Sequence, residues 1–244
     1  MLQAVELTKR YEDGQVALDR LTLDVGPAEI YCLLGANGAG KTTTINLFLG
    51  FIPPTSGTAR IAGIDVSRDP LGARQHAAYL PENVMLYGSF TARQNLQFFA
   101  RLSGRADVTR EGLYAAMRDA GLPESAFEKR VSAFSKGMRQ KLGLAIAIAR
   151  RADVLLLDEP TSGLDPQAAA EFKAVLDALR AGGKTVLMST HDIFRSREIA
   201  DRVGIMRAGR LVAQLERDQL LREDLERLYL TCMSDETKSE VRCA

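Results

Sequence analysis

Residues 35–42 read Gly-Ala-Asn-Gly-Ala-Gly-Lys-Thr, and this octet constrains the fold more than any other stretch. It fits G-x-x-x-x-G-K-[ST], a glycine-rich turn that joins a strand to a helix N-terminus and cradles phosphates. The flanks suit that context. Ile30-Tyr31-Cys32-Leu33-Leu34 is an apolar run of strand length, and Thr43 to Phe51 suits a helix. Backbone N–H groups of such a turn point inward, and the helix dipole adds positive potential. Gly35, Gly38 and Gly40 are expected to take positive φ and let the backbone approach the phosphates. Lys41 would reach the β- and γ-phosphates, and the Thr42 hydroxyl would hold Mg²⁺. Thr43 adds a phosphate contact. At average residue frequencies the four fixed positions match by chance in roughly one chain of this length in a hundred.

The chain has 244 residues, room for one large domain or a domain with a subdomain. Its net charge is +1, which gives no electrostatic reason to expect nucleic acid or an anionic membrane surface. Apolar runs such as Leu142–Ala149 stop well short of a spanning helix. The first residues, Met1 to Glu6, lack the basic segment and apolar core of a secretion signal. Cys32, Cys232 and Cys243 are far apart and odd in number, so neither a metal site nor a disulfide framework is expected, and a reducing cytosolic setting fits.

Short apolar strands alternate with helical stretches, the mark of an α/β chain with a largely parallel sheet. The first part differs: Ala4–Leu7, Leu21–Val25 and Thr58–Ile61 read as antiparallel strands. Thr91 to Arg151 reads almost wholly helical, with breaks at Gly104, Gly121 and Pro123. Core strands follow at Val154–Leu157, Thr185–Ser189, Val203–Met206 and Leu211–Leu215. Arg217 to Cys232 has the pattern of one amphipathic helix, and Ser234 to Ala244 is a polar tail expected to fray.

Three apolar strands run into chemically useful residues. Ile30–Leu34 enters the phosphate loop, Val154–Leu157 enters Asp158-Glu159, and Thr185–Ser189 enters Thr190-His191-Asp192. Ligands of open parallel sheets bind outside the carboxyl ends of the strands, so these groups are expected to converge. Asp158 would hold Mg²⁺ together with Thr42. Glu159 is the candidate to polarise the attacking water. His191 could hydrogen-bond the γ-phosphate or that water. Taken alone, two acids after an apolar run also fit a solvated strand end, and a lone histidine also fits a structural role; it is the phosphate loop in the same chain that favours chemistry.

These segments resemble the nucleotide-binding subunit of ATP-binding cassette (ABC) transporters along nearly the whole chain. Phe134-Ser135-Lys136-Gly137-Met138-Arg139-Gln140 stands where that family has its Leu-Ser-Gly-Gly-Gln signature. Val154 to Glu159 resembles its Walker B strand, Pro160 to Asp165 its D-loop, and His191 its switch histidine. Tyr11 stands where the family stacks an aromatic ring on adenine, with Asp13 and Gly14 as a turn presenting it. The resemblance implies a P-loop NTPase core with an antiparallel β subdomain and a helical insertion subdomain. It places the nucleotide-binding domain at 1–216, the insertion at about 83–151, and a C-terminal extension at 217–244. ATP contacts would come from Tyr11, Gly35, Asn37, Gly38, Ala39, Gly40, Lys41, Thr42 and Thr43. The metal set would be Thr42, Glu82 and Asp158. Ser135 can cap a helix beginning near Gly137, and in the family this end meets ATP held by a second subunit, so Ser135 and Gly137 would serve the other copy. Gly143, Ala145, Ala147 and Ala149 keep that helix thin.

Two departures stand out. Lys136 and Met138 replace the family's commonest signature residues, and Glu82 follows Tyr79-Leu80-Pro81 where the Q-loop usually has glutamine. Both variants resemble the exporter-like branch. Leu80-Pro81-Glu82-Asn83-Val84 is also similar to the ATPases of copper-processing transporters that mature nitrous oxide reductase. The implied function is an Mg²⁺-dependent ATPase, peripheral at the cytoplasmic face of the cell membrane, that dimerises and drives a separate integral membrane permease. Met85, Leu86, Tyr87 and Phe90 would suit a permease groove. The alternative is a soluble single-cassette ATPase acting in assembly or repair; a second cassette or long coiled coil, the marks of translation and repair types, is not present in the sequence. A GTPase would need Asn-Lys-x-Asp, which is also absent.

Overall fold

The alternating apolar residues of the first two strands face one way and build a sheet floor. The computed structural model, which describes residues 1–105 and 107–234, pairs β1 (Leu2–Arg10) antiparallel with β2 (Val16–Val25). Leu2, Ala4 and Leu7 of one strand and Leu18, Leu21, Leu23 and Val25 of the other are buried. β3 (Ile30–Leu34) then enters the phosphate loop, and α1 (Lys41–Phe48) follows it. This helix starts two residues earlier than expected from sequence and stops three earlier, where Gly50 takes φ 62°. β4 (Ser56–Ile61) and β5 (Ile64–Asp65) complete an antiparallel sheet in the order β2-β1-β4-β5.

A short helix, α2 (Pro70–Gln75), is capped by Asp69, whose carboxylate accepts the Gly72 N–H. It leads to β6 (Ala77–Leu80). Three helices follow before the next strand: α3 (Ala92–Leu102), α4 (Arg110–Asp119) and α5 (Lys136–Arg150). The region is less uniformly helical than its sequence pattern predicts. Gly104 and Gly121 take positive φ, and two single 3₁₀ turns, Glu124–Ala126 and Val131–Ala133, carry the chain to the Ser135 cap. Then come β7 (Val154–Asp158), α6 (Pro166–Ala181), β8 (Thr185–Thr190), α7 (Ile193–Ile199), β9 (Arg202–Arg207) and β10 (Arg210–Glu216).

The C-terminal stretch reads as one helix in sequence but forms two, α8 (Arg217–Arg222) and α9 (Leu225–Met233). Asp224 breaks it by capping a new N-terminus, its carboxylate accepting the Arg227 N–H. The expected polar tail lies, from residue 235 on, outside the described residues.

The main sheet has the order β10-β9-β3-β8-β7-β6, with β9, β3, β8, β7 and β6 parallel and β10 antiparallel at the edge. The central strands β3, β7 and β8 are buried on both faces and β3 and β7 read as apolar runs, whereas the edge strand β10 alternates. Ile30, Cys32 and Leu34 pack with Leu96, Leu142 and Phe172 on one side. Tyr31 and Leu33 pack with Ile45 and Phe48 against the antiparallel sheet on the other. Register brings the carboxyl ends level: Leu34 lies beside Thr190, Asp158 beside Ser189, and Leu80 beside Leu157. α5 presses on β6 through Gly143, where a Cβ would stand 2.2 Å from Leu80 Cδ1. Lys141 of α5 also reaches Glu171 of α6 at 2.5 Å.

Candidate active site

The three strand ends flagged in the sequence are neighbours, and the phosphate loop and the end of β7 border a cavity of about 260 Å³ that the end of β8, with His191, does not line. Tyr11, Gln15, Ala17, residues 36–43, Glu82, Asp158 and Glu159 line it. The phosphate loop is built by two different uses of glycine. Gly38 and Gly40 take φ 80° and 106°, as expected. Gly35 does not; it is required by close approach, since a Cβ there would lie 2.6 Å from the Met206 carbonyl oxygen. Gly40 is tight as well, with the Ala17 carbonyl oxygen 2.6 Å from its Cβ position, whereas Gly38 faces open space. Asn37 and Ala39 complete the turn, and Thr43 lies just inside α1.

Lys41 is buried, and its ammonium donates to the carbonyls of Gly35 at 2.6 Å and Ala36 at 3.2 Å. Glu159 Oε1 stands 3.5 Å from the same nitrogen. Thr42 Oγ1 donates to Asp158 Oδ1 at 3.1 Å. Ser189 Oγ donates to that same oxygen at 2.5 Å and accepts the Glu159 N–H at 3.0 Å. Ser189 is a site residue that its sequence setting as a strand end did not single out; the signal is its register position opposite Asp158. Glu159 takes φ 47°, a conformation uncommon outside glycine, and turns the chain sharply at the end of β7. His191, half exposed, places Nδ1 2.9 Å from Glu159 Oε2. Burial, with the Asp158 charge adding, pushes the nearby Tyr79 phenol up to about 12, so it stays neutral and acts as packing.

Tyr11 is partly exposed at the cavity mouth on a turn closed by Gly14 N–H to Tyr11 O, and the Lys9 ammonium lies 5.3 Å from its ring centre. Glu82 lines the cavity too, but its Oε1 accepts from Ser162 Oγ at 3.1 Å and its carbonyl from Gln140 Nε2 at 2.8 Å. Ser135 and Gly137 are not among the lining residues. Ser135 caps α5, one residue before Gly137's expected start, and its hydroxyl accepts the Met138 N–H at 3.3 Å.

The donor set fits a magnesium triphosphate. Thr42 and Asp158 offer hard oxygens side by side, next to a loop whose glycines leave room for anion approach. No group of three or more His, Cys, Asp or Glu among the described residues could hold a metal by itself. Mg²⁺ is commonly held by one or two protein carboxylates, with substrate phosphates and water completing its shell.

Comparison with known proteins gives the chain's relatives. The family model described as ABC transporter matches residues 18–162. The chain is 36% identical over 220 residues to the probable multidrug ABC transporter ATP-binding protein YbhF of Escherichia coli strain K12, covering 90% of this chain and 38% of that protein. The Nod factor export ATP-binding protein I of Burkholderia pseudomallei strain 1710b is 37% identical over 209 residues, 86% of this chain and 68% of that protein. A solved structure described as the ATP binding subunit of an ABC transporter superposes with a TM-score of 0.81 at 29% identity, covering 96% of this chain and all of that one.

Proposed function

The chain belongs to the ABC transporter family of ATP-binding cassettes, and from that premise we propose that it hydrolyses ATP and drives substrate movement through a separate membrane permease. One observation carries the reading. Lys41, Thr42, Asp158, Glu159 and His191 form a single connected set at the carboxyl ends of adjacent strands.

Each residue has a task in phosphoryl transfer. The loop N–H groups and Lys41 hold the β- and γ-phosphates in line for attack. Mg²⁺, when bound, would be held by Thr42 and Asp158 with Glu82 nearby and would offset charge on the phosphate oxygens. Ser189 and Thr42 keep the Asp158 carboxylate turned toward the loop. Glu159 accepts a hydrogen bond from the attacking water and raises its nucleophilicity. His191 fixes the Glu159 carboxylate through Oε2. Tyr11 stacks on the adenine. Ser135 and Gly137 are not among the residues lining the chain's own cavity, and on this reading they complete the site of a second copy, so the active form is a head-to-tail dimer.

The names of the relatives support an exporter over an importer. A narrower kinship with the ATPases of copper-processing transporters that mature nitrous oxide reductase rests on the run Leu80–Val84 alone. Support for a permease comes from the segment after Glu82. Met85 is 83% exposed and Tyr87 and Phe90 are partly so, although Leu86 packs inward. No helix of the described residues is long and apolar enough to cross a membrane. The reading therefore places the chain at the cytoplasmic face, held there by its partner. Mg²⁺-dependent phosphate release by the purified chain, and co-purification of a polytopic membrane protein with it from mild detergent, test the two halves separately. An inert chain that retains its fold would defeat the first, and capture of soluble proteins alone would defeat the second.

A further inference from the structure

The two charged departures from the family's commonest motifs meet in space. Lys136 Nζ lies 3.9 Å from Glu82 Oε1, the oxygen that also accepts from Ser162. The Glu82 backbone is anchored here, because buried Gln140 of α5 donates to its carbonyl. Lys136 is the first residue of that same helix. Its ammonium also lies against Gly163 of the segment after β7, 3.4 Å from where a Cβ would stand, and Gly163 itself takes φ 67°.

Charge count gives the contact its meaning. The residues lining the phosphate cavity carry three carboxylates, Glu82, Asp158 and Glu159, against the single ammonium of Lys41. A triphosphate adds several more negative charges to that space. Asp158 is committed to Thr42 and Ser189, and Glu159 to Lys41 and His191. Asp158 has hydroxyl partners only, and its charge would be met by the Mg²⁺ that accompanies ATP; Glu82 has Lys136 as the cation beside it. We propose that Lys136 is a positioning residue for Glu82, neutralising its carboxylate beside bound ATP and holding it toward the helix that carries Ser135. The proposal rests on the ATP-site reading above. Lysine at the signature and glutamate at the Q-loop position are then one compensated exchange. Since Ser135 serves the nucleotide of the second copy, the pair also joins the two sites of the dimer.

The test is calorimetric ATP affinity at fixed Mg²⁺, measured in a Glu159→Gln background so that turnover does not intrude. Lys136→Met should weaken ATP binding about threefold, the scale of a half-exposed charge pair, and less at high salt. Lys136→Arg should retain affinity. Glu82→Gln alone should tighten binding slightly, because the Lys136 ammonium is then left beside the triphosphate without its carboxylate, and adding Glu82→Gln to Lys136→Met should restore the parental affinity. A deficit that persists in the double variant, with unchanged melting temperature, overturns the proposal, because Lys136 would then act without Glu82. So does an unaffected Lys136→Met. Failure of the Glu159→Gln parent itself to bind ATP is a different result and overturns the underlying site.

Discussion

Lys41 Nζ stands 3.5 Å from Glu159 Oε1, so the single cation among the described cavity-lining residues faces the carboxylate proposed to polarise water. The pair is well shielded, with the lysine side chain 6% and the glutamate 14% exposed. In the proposed mechanism a triphosphate entering the loop would compete with Glu159 for this ammonium, which would link binding and base placement through one side chain.

Glu159→Gln is expected to bind ATP at least as well as the parent and to hydrolyse it about 10²–10⁴-fold more slowly, the usual contribution of a positioned base. The amide keeps the shape and the contact with His191 but lacks the charge that competes for Lys41. Size-exclusion with Mg²⁺ and ATP should show a dimer that the parent forms only transiently. Full hydrolysis by this variant would remove Glu159 from the mechanism.

Lys41→Ala is expected to lower ATP affinity about ten- to a hundredfold, since a charge-assisted hydrogen bond contributes about 1.5–3 kcal/mol. It also leaves the carbonyls of Gly35 and Ala36 and the Glu159 carboxylate without their shared cation. Calorimetry reads the affinity directly, and an unchanged value would refute the phosphate-loop assignment.

The part of the site that depends on local chain geometry was legible in sequence. A strand, a glycine turn and a helix start are contiguous, so Gly40, Lys41 and Thr42 could be placed without tertiary knowledge. The strand-end rule likewise anticipated the meeting of residues 41, 159 and 191, because the carboxyl ends of neighbouring parallel strands open on one crevice. What depends on register was not legible. Ser189 and Asp158 are 31 residues apart, and only the β7–β8 alignment makes them partners. Glu82 and Lys136 were each visible as departures, but their contact needs α5 folded back against β6. The need for glycine at 35 was misread as φ because its neighbour, the Met206 carbonyl, comes from β9, far along the chain. Helix continuity was overestimated at Glu223-Asp224, where a capping carboxylate outweighs amphipathic periodicity.

Ser189→Ala should reduce Mg²⁺-dependent ATP turnover about tenfold while leaving Lys41-dependent nucleotide affinity nearly intact. The hydroxyl donates to a buried carboxylate, a bond of about 1.5–3 kcal/mol, and its loss frees Asp158 to rotate away from Thr42. The Glu159 N–H keeps a partner in the Ser189 carbonyl at 3.2 Å, so the backbone turn should survive. A turnover loss at saturating ATP that is relieved by raising Mg²⁺ supports this account; an equal loss at every Mg²⁺ concentration points instead to disturbed Glu159.

The opposite edge of the sheet offers a pH prediction independent of ATP. The hydrogen bond with His76 Nδ1, at 2.9 Å, holds the Asp153 carboxyl below its usual range, and the Lys184 ammonium at 3.5 Å adds to it. These contacts join the start of β6 to the starts of β7 and β8. A carboxyl whose folded-state pKa lies below its unfolded value of about 3.9 contributes fully above that value. The contribution is lost as pH falls through the folded-state pKa. Asp153 is nearly half exposed, so the pair is on the scale of exposed ion pairs, about 0.2–1 kcal/mol. Asp153→Asn should therefore lower the urea midpoint slightly at pH 7, and the gap from the parent should close as the pH drops toward and below 3. Added salt at pH 7 should narrow the same gap, because the exposed charges are screened. A gap that stays constant from pH 7 to pH 3 would show that Asp153 contributes through packing or backbone effects, with its charge playing no part.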